Sequence, residues 1–121
     1  MLVPVLIVRA FSEAIDFLTC ILDFELAFAS PTDAPFYGVL TRGEDELHVN
    51  LVPPGGRFGN ASVIVICDDI DALFATFVAR GLPVPTRTQS PVHEGPLDQS
   101  WGTREFYVDD PSGNTVIFQQ R

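Results

Sequence analysis

The sequence predicts an α+β fold built from two βαβββ modules. Three observations carry that expectation: a closing hairpin whose turn and alternation are both written out, a strand, helix and three-strand pattern that occurs twice, and two apolar stripes at helical spacing.

Residues 5–8, Val-Leu-Ile-Val, open the first module as a buried strand. Ser12 is the expected N-cap of the following helix, on which Ala14, Phe17, Leu18, Ile21 and Leu22 recur along one face. Strands are expected over residues 25–29, 36–41 and 45–52. The Pro/Gly stretch 53–60 then suits a linker between modules of 1–52 and 61–121 within one domain. Residues 63–66 repeat the opening strand. Asp68 and Asp69 are candidate caps, Asp71 suits the positive helix end, Ile70, Leu73, Phe74, Phe77 and Val78 form the stripe, and Gly81 stops it. A shift of about 58 residues lays Ala72 on Ala14 and Leu73 on Ile15, the mark of an internal repeat. Strands are expected again over 84–89, 104–109 and 115–120, with residues 90–100 as a long loop able to close over a cleft.

The last two strands are the most explicit. Asp110, Pro111, Ser112, Gly113 and Asn114 combine a preset φ, tolerance of left-handed backbone and local side-chain hydrogen bonds, so the chain reverses there. With Asp109 opposite Thr115, alternation puts Phe106, Val108, Val116 and Phe118 on an apolar core face. Glu105, Tyr107, Asp109, Thr115, Ile117 and Gln119 share the other, a surface suited to a binding cleft.

A chain of 121 residues with ten Phe can bury one aromatic-rich core. Its net charge of −9 argues against nucleic acid and anionic membranes as partners, favours neutral or cationic ligands, and also simply confers solubility. Cys20 and Cys67 are too few for a disulfide framework and read as small hydrophobes in a reducing cytoplasm. The apolar N-terminus lacks a basic flank, carries Pro4, and is too short to span a bilayer.

The paired βαβββ modules, the run Trp101-Gly102-Thr103-Arg104-Glu105-Phe106 and the turn Asp110-Pro111-Ser112-Gly113-Asn114 resemble the vicinal oxygen chelate (glyoxalase/bleomycin resistance/dioxygenase) superfamily. Val3-Pro4-Val5-Leu6, Ala14-Ile15-Asp16-Phe17 and Phe36-Tyr37-Gly38-Val39-Leu40 resemble its bleomycin resistance subgroup. The resemblance implies two curved mixed sheets backed by helices, and a homodimer with clefts between modules of different subunits and exchange of the first strand. Enzymes of the superfamily hold a divalent ion on the first and last strands of each module. Carried onto this chain, those positions fall on Pro4, Ser62 and Ile117, none a competent ligand. Glu46, His48 and Asn50 alternate along the fourth strand, but one strand does not make a three- or four-ligand site. No metal or other cofactor is therefore expected.

Aromatic side chains are the better binding candidates, because a flat ligand is held by stacking and burial first. Trp101, Tyr107, Tyr37, Phe36 and Phe58 lie outside the helical stripes; His48, Asn50, Glu105 and Ile117 complete the candidate ligand-binding set. Trp101 also suits plain packing, Phe36 the core, and Phe58 the linker. Glu105 and Asp109 suit either a cationic ligand or an arginine such as Arg104 or Arg42, while His93 reads as a solvated loop residue. No nucleophile stands beside its base, so no catalytic residue is assigned. The leading expectation is a non-enzymatic protein that sequesters a planar antibiotic or metabolite, neutral or cationic. The alternatives are a metal-dependent enzyme of the superfamily (lyase, epimerase, dioxygenase or thiol transferase) and a module for protein association.

Overall fold

A computed structural model describes residues 1–121. The chain divides into two compact units, Met1–Ala61 with Asp110–Asn114, and Ser62–Asp109 with Thr115–Arg121. No helix is long and apolar enough to cross a membrane.

The first unit contains β1 (Val5–Val8), α1 (Phe11–Asp16), a π-helical turn (Phe17–Ile21), β2 (Glu25–Ser30), β3 (Tyr37–Arg42) and β4 (Asp45–Leu51). Its sheet runs β1-β4-β3-β2, with β1 parallel to β4 and the other pairs antiparallel. Alternation buries Leu6, Val8, Leu40, Leu47 and Val49 with Ala14, Phe17, Leu18 and Leu22. Gly38 lies on this core face because a Cβ there would sit 3.0 Å from the Phe11 ring and 3.3 Å from Ile15. The helix closes with a wide turn: the Leu22 amide reaches back five residues to the Phe17 carbonyl at 3.1 Å, and the Thr19 hydroxyl donates to the Ile15 carbonyl.

The reversal Asp110–Asn114 belongs to this unit. One Asp110 oxygen accepts from the amides of Ser112 (2.9 Å) and Asn114 (2.7 Å), and the other from Asn114 Nδ2 (3.0 Å). The fully buried Asn114 side chain also donates to the Ile7 carbonyl and accepts from the Ala61 amide, while the Ser112 hydroxyl accepts from the Arg9 amide. Gly59 passes so close that a Cβ would lie 2.2 Å from the Ser112 carbonyl oxygen, and its φ of +78° also favours glycine.

The second unit contains β5 (Ser62–Ile66), α2 (Ile70–Ala79), a 3₁₀ turn (Pro91–His93), β6 (Leu97–Asp98), β7 (Arg104–Asp109) and β8 (Thr115–Gln120). The order β5-β8-β7-β6 repeats the topology of the first sheet. The hairpin pairs Asp109 with Thr115 as expected, and Phe106, Val108, Val116 and Phe118 are buried. Phe106 and Phe118 stack at 5.0 Å between centroids, and Phe74 and Phe77 of α2 meet them edge-on. Asp69 caps α2 by accepting from the Ala72 amide, and Gln120 Oε1 accepts from the Ile70 amide.

Several expectations need correction. Ser12 is not the N-cap: Ala10 holds that position without a side-chain cap, and Ser12 lies in the first turn. Residues 84–89 form no strand; the fourth strand of the second sheet is the two-residue β6, inside the expected loop. Leu6 and Val8 are buried, but Met1, Leu2 and Val5 are exposed, so the opening segment is only half interior. β1 begins at Val5, which leaves Pro4 just ahead of the strand. Val78 lies outside the buried stripe of α2, and Cys20 is an exposed thiol, whereas Cys67 is partly buried.

Asn114→Asp tests the turn. A second carboxylate would face both Asp110 and the Ile7 carbonyl in place of a donor, so a loss of roughly 3 kcal/mol is expected in urea unfolding, with the slope unchanged.

Candidate functional site

Each sheet has one face against its helix and one face turned away, and pairing register places the candidate residues on the second. In the first unit, one row across the strands is Phe28, Val39, His48 and Val5; the next is Ser30, Tyr37, Asn50 and Ile7. His48 and Asn50 share a surface, as alternation in β4 implied, and the β3 register adds Tyr37 to it. His48 sits between two partners: Tyr37 Oη is 2.6 Å from Nδ1, and Glu46 Oε2 is 2.6 Å from Nε2. The Tyr37 and His48 rings meet edge-on. Phe36 precedes β3, one position out of step with Tyr37; like Phe58 it is about half exposed and outside these rows.

In the second unit the corresponding rows are Leu97, Glu105, Gln119 and Ile66, then Tyr107, Ile117 and Ile64, then Asp109, Thr115 and Ser62. Glu105, expected at the surface, is only 2% exposed. Its Oε2 accepts from Thr103 (2.6 Å), Gln119 (2.7 Å) and the Trp101 indole N–H (3.3 Å). Burial by itself pushes this carboxyl up, but these donors and the Tyr107 hydroxyl outweigh it and hold the group below the usual glutamate range. Tyr107 is raised, first by its own burial and then by the Glu105 charge and hydrogen bond, so it stays a donor. Trp101 remains 65% exposed while its N–H is fixed.

His93 is not a solvated loop residue. Its side chain is 11% exposed, hydrogen-bonded to Ser90 Oγ at 2.7 Å and Asp109 Oδ1 at 3.0 Å, and edge-on to Tyr107. Asp109 also binds Thr115 and pairs with Arg87 at 3.0 Å. Burial raises its carboxyl, but Thr115, His93 and Arg87 together bring it below the usual aspartate range. Neither Arg104 nor Arg42 serves these carboxylates: Arg104 bridges Asp71 and Asp98, and Arg42 faces Asp23 at 3.7 Å. Ser90, His93 and Asp109 are the residue types of a nucleophilic triad, a convergence that sequence reasoning missed. The neighbouring amides of His93 and Glu94 are committed to the Ser90 and Pro91 carbonyls, so they are not offered to an oxyanion. The trio fastens the long loop to the sheet instead.

The donor set does not fit a divalent ion. No three His, Cys, Asp or Glu side chains converge in a way that could hold one. In the first unit both His48 nitrogens are engaged and Val5 and Ile7 of β1 flank them; in the second, Ile64 and Ile117 pair with each other on β5 and β8 and offer no donor. The second unit has an open cavity of about 540 Å³ along Thr86, Arg87, Thr88, Gln89 and Ser90, beside the Asp109 anchor, and one of about 280 Å³ bordered by Asp98, Gly102, Arg104 and Arg121.

A model of the Glyoxalase/Bleomycin resistance protein/Dioxygenase superfamily matches residues 2–118. Among solved structures, the chain is similar to TioX from Micromonospora sp. ML1, with a TM-score of 0.79 at 23% identity over 98% of this chain and 96% of that one. It is similar to a bleomycin-binding protein complexed with bleomycin, with a TM-score of 0.77 at 19% identity over 100% and 98%. A bleomycin resistance determinant encoded on the transposon Tn5 gives 0.76 at 19% identity over 100% and 97%. These likenesses show the fold, that of the vicinal oxygen chelate proteins. No curated protein matches the sequence.

Glu105 supplies a pH test. Because its carboxyl is depressed in the fold, its contribution is complete above the ordinary glutamate range and is lost as pH falls through the depressed value. Glu105→Gln is expected to cost about 2 kcal/mol at neutral pH and to flatten the acid limb of a stability profile measured by chemical unfolding.

Proposed function

Because the chain belongs to the glyoxalase/bleomycin resistance protein/dioxygenase superfamily, we propose that it is a non-enzymatic small-molecule-binding protein that holds a planar ligand, neutral or cationic, and sequesters it. The observation that carries this reading is Trp101, an exposed indole whose N–H is fixed on a buried carboxylate. Such a ring offers a stacking face with little freedom left to lose, which is what an aromatic ligand needs. Tyr107, bonded to the same Glu105, and its partner Ile117 lie on the sheet face next to the Glu105 row, while the first unit offers Tyr37, His48 and Asn50. An antibiotic is the natural class of ligand, since two of the similar structures are a bleomycin-binding protein and a bleomycin resistance determinant.

The active form in this reading is a cytoplasmic homodimer with exchange of the first strand. The exposed apolar residues Met1, Leu2 and Val5, and Ile64 and Ile66 on edge strand β5, support it. A metal-dependent reaction draws no support from the donor set.

Titration calorimetry with metal-free bleomycin and with 9-aminoacridine, a planar cation, is expected to give saturable binding and quenching of Trp101 emission. Trp101→Ala is expected to weaken affinity by about tenfold or more. No heat and no quenching with either compound would remove the reading.

A further inference from the structure

We propose that Glu46, His48 and Tyr37 form an acceptor-only hydrogen-bonding line that selects planar ligands carrying an N–H donor, such as a protonated or aromatic amine. The proposal rests on the planar-ligand reading above and specifies the ligand's polar group.

The argument follows the protons along the chain. An ionised carboxylate can only accept, so Glu46 Oε2, 2.6 Å from Nε2, requires the hydrogen to be on Nε2. In the neutral imidazole Nδ1 then holds a lone pair and can only accept, so the Tyr37 hydroxyl, 2.6 Å away, must donate to it. That spends the single hydrogen of Tyr37. Its oxygen presents only lone pairs to anything arriving on the sheet face, and the second Glu46 oxygen does the same.

Both ends of the line thus accept and neither donates. An incoming carboxylate, phosphate or carbonyl finds no hydrogen there; an N–H group finds two acceptors, one of them charged. The neighbours reinforce the choice. Val5 of β1, Val39 of β3 and Phe28 of β2 share the His48 row, so the line crosses an apolar floor on which a flat ring can rest. The His48 side chain is 20% exposed and that of Glu46 37%, which leaves the line reachable yet partly shielded from water.

The test compares two planar monocations by calorimetry: 9-aminoacridine, which carries N–H donors, and 10-methylacridinium, which has none. The wild-type chain is expected to bind 9-aminoacridine about tenfold more tightly, the worth of one charge-assisted hydrogen bond. Glu46→Gln, which removes the charged acceptor from the line, is expected to shrink the preference to about threefold or less. In addition, ¹⁵N shifts of His48 are expected to report the Nε2–H tautomer in the wild type. Equal affinities for the two dyes, a preference undiminished in Glu46→Gln, or the Nδ1–H tautomer would overturn the inference and leave the planar-ligand reading standing. Failure of both dyes to bind would overturn the inference, and failure of bleomycin as well would overturn the planar-ligand reading with it.

Discussion

The carboxylate of Asp110 is the constraint on which most of the first unit depends. A buried charge is tolerated only when its lone pairs are met, and here three N–H groups from Ser112 and Asn114 meet them within five residues. Fixing that turn fixes Asn114, whose amide group then joins the end of β1 at Ile7 to the backbone entering β5 at Ala61. Ser112 does the same for the amide of Arg9, just ahead of α1. Short polar side chains thus hold segments that no hydrophobic contact could register, since apolar packing has no direction. Gly59 follows from the same crowding: backbone passes where no Cβ fits.

Around this frame, period-two alternation separates a packed face of each sheet from a polar one. One face of each sheet is filled by aliphatic and aromatic side chains under a helix. The other carries polar groups already bonded to one another: Tyr37 to His48 to Glu46 in the first unit, and Trp101, Thr103 and Gln119 to Glu105 in the second. Prior satisfaction limits what these groups can still do. A carboxylate surrounded by donors is a poor base and a poor metal ligand, but it fixes the groups around it in direction. Preorganised surfaces of that kind favour binding over bond breaking.

The parts of the fold that were legible in the sequence are those set by neighbours along the chain. The β7–β8 register followed from five turn residues and simple alternation, and the cap of α2 from Asp69 standing three positions before Ala72. What was missed depends on distant partners. The segment before α1 is satisfied by Ser112, 103 positions away, so Ser12 misled as a cap. β6 comprises two residues whose pairing with Glu105 and Arg104 gives no periodic signal, whereas residues 84–89, expected as a strand, pair with no other strand. His93 looked solvated because its anchor, Asp109, lies on a strand 16 positions on. Glu105 looked exposed because only the structure shows Trp101 and Gln119 converging on it. Residue types for the candidate site were readable, but their pairing was not.

β2 forms the outer edge of the first sheet, with Leu26 and Phe28 both largely exposed, and its pairing with β3 slips between these two residues. An extended apolar edge is a template on which another chain can add a strand, and repeated addition ends in fibres or precipitate. The bulge breaks the even row of amides and carbonyls and twists the strand out of plane, so a foreign strand cannot stay in step along its length. An aromatic side chain can therefore stay uncovered at this border without making the protein a seed for its own aggregation.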